Sequence, residues 1–252
     1  MIKINNIFKD VSKQGLGNRL FQYCWARDLA VQKGYKLVSD PILGFPITYE
    51  PLNGHSTTDN ILITPEATQI FDIPRILNHN GAIIVAGYPQ RYQHYIQNKD
   101  NIKSWLYVEN EQNYDTVDPD DIVVNVRLGD YVNLGWDLDM IYYKKLLERE
   151  TYKNAYIVCD EPHNPKLKIL TDMGCKIKDN SSHGKLKFLA DFVFVKSAKK
   201  TIIANSTFSW WSSFLGDGIV YYPCLKFPWS KNPSSNDVDL RPYDEKRYKF
   251  VI

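Results

Sequence analysis

"TIIANSTFSWWSSFLG" (201–216) sets an apolar, β-branched run against a cluster of hydroxyls and then two adjacent tryptophans. The run TIIAN has the composition of a buried strand, and Ser206 or Thr207 stands where a helix opening near Phe208 needs an N-cap. A strand that ends in Asn, Ser and Thr just before a helix points to an open α/β sheet, whose ligands bind in the crevice beyond the strands' carboxyl ends. The free N–H groups of that first turn, flanked by the hydroxyls of Ser206, Thr207 and Ser209, suit a phosphate. The alternative is purely architectural: the hydroxyls cap a helix whose Trp210, Trp211, Phe214 and Leu215 fill the core.

The rest of the chain repeats the alternation of β-branched runs with amphipathic stretches that marks α/β architecture. Strands are expected at NIFKDV (6–11), KLVSD (36–40), GAIIVAGY (81–88), IVVNVR (122–127), AYIVCD (155–160), CKIKD (175–179), KTIIAN (200–205) and, as the last, GIVYYPC (218–224). Helices are expected at 18–34, where apolar residues recur at three and four and Gly34 stops the run, and within 100–115, 139–150, 164–174 and 183–198. The Pro-, Asn- and Thr-rich stretch 41–80 reads as irregular. The acidic segment NYDTVDPDD (113–121) separates residues 1–115 from 116–252 as two domains.

Two further turns carry chemistry-bearing residues. In QGLGNRLFQ (14–22), Gly15 and Gly17 permit a tight passage from strand to helix and a close ligand approach, with Asn18 at the helix entrance. The spacing matches neither a dinucleotide fingerprint nor a P-loop. In VVNVRLGDYV (123–132), Arg127 ends an apolar strand and is followed by a glycine turn and Asp130. The guanidinium fork suits a pyrophosphate, with Asp130 holding the fork or a ligand hydroxyl; a structural Arg–Asp pair is the alternative. Asp160 and Glu161 make a second acidic strand end. The aromatic, basic run YPQRYQHY (88–95) suits stacking on a sugar better than on nucleic-acid bases.

Composition narrows the classes. The 252 residues include 31 Lys plus Arg against 29 Asp plus Glu, so no overall field favours nucleic acid. Four scattered cysteines and five histidines without ligand spacing point to reduced thiols and no metal site, and there is no G-x-S-x-G elbow. With no leader-like N-terminus and no run of about 18 apolar residues, a cytoplasmic location is expected, with peripheral membrane association left open.

Taken together these segments resemble the α1,2-fucosyltransferases of glycosyltransferase family 11 and, more remotely, the core and protein O-fucosyltransferases. The family's G-G-L-G-N-[QR]-[LM]-F-Q-Y-A corresponds to Gln14 through Cys24, and its G-Y-x-Q to Gly87 through Gln90. Its H-x-R-R-G-D-Y falls on Asn125 through Tyr131, F-S-D-D on Val158 through Glu161, and N-S-[ST]-F-S-W-W on 205–211. The resemblance implies a GT-B fold, two Rossmann-like domains facing a cleft, with the acceptor on the first and the nucleotide sugar on the second. It implies inverting transfer of L-fucose from GDP-fucose to a glycan acceptor, the 2-OH of a galactose-type residue, with no metal or other cofactor. Gly15, Gly17, Asn125, Arg127, Asp160, Asn205, Ser206, Thr207, Phe208 and Ser209 are then expected at the donor. Arg127, Asn18 and Asp130 are expected to act in catalysis, with Asp160, Glu161 and Asp191 as further candidates for a base. Asn125 stands where the family has His and Leu128 where many members have a second Arg, which leaves another GDP-sugar as the alternative donor.

Overall fold

The computed structural model describes residues 1–4, 15–47, 60–63, 73–224 and 238–251. The chain folds into two compact units divided between Glu109 and Asn110; further on, Asp239–Arg241 belong with the first unit and the residues from Pro242 with the second.

In the first unit, β1 (Ile2–Ile4), α1 (Leu16–Lys33), β2 (Leu37–Val38), β3 (Asn60–Ile63), α2 (Ile73–Asn78), β4 (Ala82–Val85) and α3 (Lys99–Trp105) follow in chain order. The strands form a parallel sheet in the order β2-β1-β4-β3, with Ile2 beside Leu37 on one side and Ile83 on the other. Helix α1 buries Leu20, Phe21, Cys24, Trp25 and Leu29 and ends at Gly34, whose left-handed backbone (φ 62°) lets its N–H reach back to the last carbonyls. The expected strand at 6–11 lies outside the described residues. Within the stretch read as irregular, 60–63 is a strand and 73–78 a helix.

The second unit contains β5 (Ile122–Val126), α4 (Gly129–Leu134), α5 (Met140–Leu147), β6 (Ala155–Cys159), α6 (Lys168–Thr171), β7 (Lys176–Ile177), α7 (Lys187–Ser197), β8 (Lys200–Ile202), α8 (Thr207–Leu215), β9 (Ile219–Pro223) and β10 (Tyr248–Val251). Every pairing is parallel, and the order is β10-β9-β8-β5-β6-β7. This is a doubly wound sheet that changes direction between β5 and β8, so the carboxyl ends of those two strands flank its crevice. Strand β10 corrects the reading that GIVYYPC is the last strand, and the glycine turn expected after Arg127 opens the short helix α4.

Strand β5 is buried on both faces, as a central parallel strand must be. Ile122, Val124 and Val126 pack toward α5 and α6, whereas Val123 packs against Phe194, Val195 and Val158. Period-two alternation puts Asn125 on the same face as Val123, the face covered by α7 and α8. Helix α8 is buried nearly all round, from Ser209 to Leu215: Trp210 stacks on Phe214 with centroids 4.7 Å apart, and Trp211 meets both rings edge-on. Burying these three rings fastens α8 to the sheet and holds its first turn beside the end of β8.

Candidate active site at the carboxyl ends of β5 and β8

Register builds the charged half of this site. Val126 pairs with Cys159, so the next residues along the two parallel strands, Arg127 and Asp160, emerge side by side. Arg127 Nη1 lies 3.0 Å from Asp160 Oδ2 and Nη2 lies 2.6 Å from Asp130 Oδ1, so the guanidinium spans two carboxylates. Its third neighbour is Tyr131, whose ring centroid lies 5.2 Å from the guanidinium carbon. Burial alone would lower the Arg127 pKa, but Asp160 and then Asp130 outweigh it and hold the group above the ordinary arginine value. Burial raises the Tyr131 phenol, partly offset by Arg127, so it stays a neutral platform.

Asp160 is also tied to the backbone, its Oδ1 accepting the Leu128 N–H at 2.9 Å. An added Cβ at 129 would overlap Asp160 Oδ2, so any larger residue there must push the Asp160 carboxylate aside; glycine suits the position by close approach rather than by its dihedral angles. Asp160 thus braces Arg127 rather than standing free for a sugar hydroxyl. Leu128 is fully buried among the core residues under β5 and offers nothing to a ligand.

The hydroxyl half is built at the start of α8. Ser206 is extended (φ −141°, ψ 153°), and its Oγ accepts the Ser209 N–H at 3.1 Å, a helix cap. Ser209 is 0% exposed and Asn125 4%. They face each other: Ser209 Oγ donates to Asn125 Oδ1, and Asn125 Nδ2 donates to Val158 O at 3.1 Å. The architectural reading thus holds for Ser206 and Ser209, which are turned inward, while Thr207 and Phe208 are half-buried at the surface. Asn205 and Thr207 make no side-chain hydrogen bond among the described residues.

Other expected residues sit elsewhere. Asn18 is in the first turn of α1, where its Oδ1 accepts from Gln90 Nε2 at 3.1 Å, joining two of the sequence segments within the first unit. Gly15 has φ −57° and ψ 144°, a conformation open to any residue, and an added Cβ would meet nothing within 4 Å. Backbone geometry therefore does not itself call for glycine at 15. Asp191 is held between Asn180 Nδ2 at 2.8 Å and Lys187 Nζ at 2.6 Å, which makes it a brace for the start of α7 rather than a base. Tyr92 and Tyr95 are fully buried, Tyr95 against Phe21, so these two rings cannot stack on a sugar. Tyr131 was the neighbour that residue types alone did not single out; Arg127 ends β5 and Tyr131 lies within α4, so no single period links them.

A doubly wound parallel sheet with an arginine and a capped helix start at its switch point defines an α/β fold of GT-B type. No protein-family model matches the chain and no curated protein matches it in sequence. Solved structures do match in fold. FUT1 of Arabidopsis thaliana in complex with GDP aligns over 88% of this chain and 70% of that one, at 13% identity and TM-score 0.55. Fucosyltransferase NodZ from Bradyrhizobium aligns over 85% and 93%, at 12% and 0.51. NodZ alpha-1,6-fucosyltransferase soaked with GDP-fucose aligns over 85% and 92%, at 12% and 0.50. Among the described residues no helix is long and apolar enough to cross a membrane, and no group of His, Cys, Asp and Glu could hold a metal ion.

Proposed function

We propose that the protein is an inverting glycosyltransferase that moves L-fucose from GDP-fucose to a glycan hydroxyl, the 2-OH of a galactose-type residue. The observation that carries this reading is Arg127, spanning Asp160 and Asp130 at the end of β5, with the first turn of α8 at the end of the neighbouring β8. The likeness in fold to fucosyltransferases that bind GDP or GDP-fucose supports the choice of donor.

In this reading the second unit holds the donor, with its pyrophosphate at the start of α8, by Thr207 and Phe208, and at Arg127, while the first unit serves the acceptor side, with Gly15 and Gly17 as donor contacts and Asn18 as a positioning group. The acceptor oxygen attacks the anomeric carbon from the face opposite the pyrophosphate. The bond from that carbon to the β-phosphate oxygen breaks, and GDP departs with the electron pair. Arg127 meets the negative charge that grows on the leaving phosphate; its carboxylates fix the fork in place before the reaction, so little reorganisation is needed. Asp130 and Asp160 both lie against the Arg127 guanidinium, on the leaving-group side of the sugar, so in this reading Asp130 acts by holding the fork, and the acceptor gives up its proton to a base or to solvent on the opposite face as the new bond forms.

Calorimetric titration without added metal against GDP, GDP-fucose, GDP-mannose and UDP tests the donor. GDP-fucose binding most tightly among the sugars is the expected outcome. Preference for GDP-mannose would make this a transferase of another sugar on the same scaffold, and UDP preference would remove the reading altogether. Release of GDP on adding β-galactosides, with the linkage read by NMR of the product, tests the acceptor.

A further inference from the structure

The hydrogen bonds behind the first turn of α8 have a direction that their atoms fix. Asn125 Nδ2 lies 3.1 Å from Val158 O, which can only accept, so the amide nitrogen must face it and Oδ1 must face Ser209. An amide oxygen carries no proton, so the single proton of Ser209 Oγ is committed to Asn125. Ser206 Oγ stands 2.7 Å from Ser209 Oγ, and since the Ser209 proton is already committed, the proton between them belongs to Ser206. The Ser206 oxygen also accepts the Ser209 N–H. Both serine hydroxyl protons therefore point into the protein, in the order Ser206 to Ser209 to Asn125 to Val158.

We propose that Asn125 is a positioning residue that sets this order, and that it withholds the Ser206 and Ser209 hydroxyls from the ligand and leaves phosphate donation to Thr207 and to the N–H groups of Thr207 and Phe208. This rests on the reading of the crevice as the GDP site. A phosphate oxygen needs a donor, and Ser206 presents only a lone pair, which repels it. Thr207 is half-buried and its hydroxyl has no internal partner among the described residues, so its proton is free to turn to the ligand. The amide at 125 thus acts on the donor without touching it.

The test is GDP affinity by calorimetry, with melting temperature, for the wild type, Thr207→Val, Ser209→Ala, Asn125→Ala and the Thr207→Val/Ser209→Ala double variant. Thr207→Val is expected to weaken GDP at least fivefold with an unchanged melting temperature. Ser209→Ala is expected to melt lower yet bind GDP within twofold of wild type or tighter, because it releases the Ser206 proton to turn outward. The loss caused by Thr207→Val is then smaller in the Ser209→Ala background than alone, a compensation that a merely structural role for the relay would not produce. Asn125→Ala should resemble Ser209→Ala in affinity, and Ser209→Ala decides the matter if Asn125→Ala does not fold. Fivefold weaker GDP binding in Ser209→Ala, or unchanged binding in Thr207→Val, overturns the proposal. Absence of GDP binding by the wild type would instead remove the reading of the crevice, and this proposal with it.

Discussion

Replacing Arg127 by alanine separates the structural and catalytic worth of one side chain. The Arg127 side chain is 36% exposed, with Asp130 at 60% and Asp160 at 26%, so solvent screens both ion pairs. Each pair of this kind contributes about 0–1 kcal/mol to stability, so losing both costs about 2 kcal/mol at most, which for a chain of this size is a shift of roughly 4–8 °C at the upper end. The catalytic cost is larger. A preorganised donor aimed at developing charge contributes on the order of 10²- to 10³-fold in kcat, about 2.7–4 kcal/mol. Arg127→Ala is thus expected to lose at least a hundredfold in kcat while melting no more than about 8 °C below wild type. Arg127→Lys keeps the charge but not the fork, and a single ammonium cannot hold both carboxylates and a phosphate in one plane; a loss of tenfold or more is expected. Steady-state GDP release from GDP-fucose, with melting curves for each variant, reads both quantities. An Arg127→Ala variant with kcat within threefold of wild type would refute the assignment of Arg127 to the leaving group.

Gly129→Ala forces a Cβ onto Asp160 Oδ2, so it should dislodge the brace of Arg127 and lower kcat tenfold or more, measured in the same assay. Trp211→Ala empties the centre of the α8 packing and should cost about 3–5 kcal/mol in urea unfolding. Cys24, Cys159 and Cys175 are buried and Cys224 is partly exposed, so alkylation of the native protein at pH 8, read by mass spectrometry, should label Cys224 first. Burial pushes the Cys159 thiol up to about 12 and raises Cys24 and Cys175 as well, so the folded state holds these protons more tightly than the unfolded one. Their contribution to stability is complete below the unfolded thiol value of about 8.5 and is lost as pH rises from there toward the folded values, so the urea midpoint should fall between pH 8 and pH 10.

The second unit was largely legible in the sequence because central parallel strands are buried on both faces and appear as short, mostly apolar runs; β5, β6 and β9 have that form, and β8 leads into the buried Ile203 and Ala204. Strand β10 escaped because YKFV is only four residues long, carries Lys249 within it, and follows the charged run DEKR. Helix α4 is a six-residue segment, too short for a 3.6-residue period to show. At the site, residue types announced Arg127, Asp130 and the hydroxyl cluster, each local to one strand end. What they could not announce is which groups meet. Arg127 finds Asp160 only through the register of β5 on β6, and Ser209 finds Asn125 across 84 residues of chain. Tyr92 and Tyr95 mislead for a related reason: an aromatic run looks alike whether it lines a groove or plugs a core, and only burial tells them apart.

The chain's return near its C-terminal end has a consequence for synthesis. Asp239 O accepts the Tyr92 N–H in the first unit, and a few residues later β10 completes the edge of the second sheet against β9. Both units therefore await residues near the end of the described chain: the first is complete only once Asp239–Arg241 have left the ribosome, and the second only once β10 has followed. A single cut anywhere in the gene would leave at least one of them short of a piece, so exchange of one unit between relatives requires three crossovers rather than one.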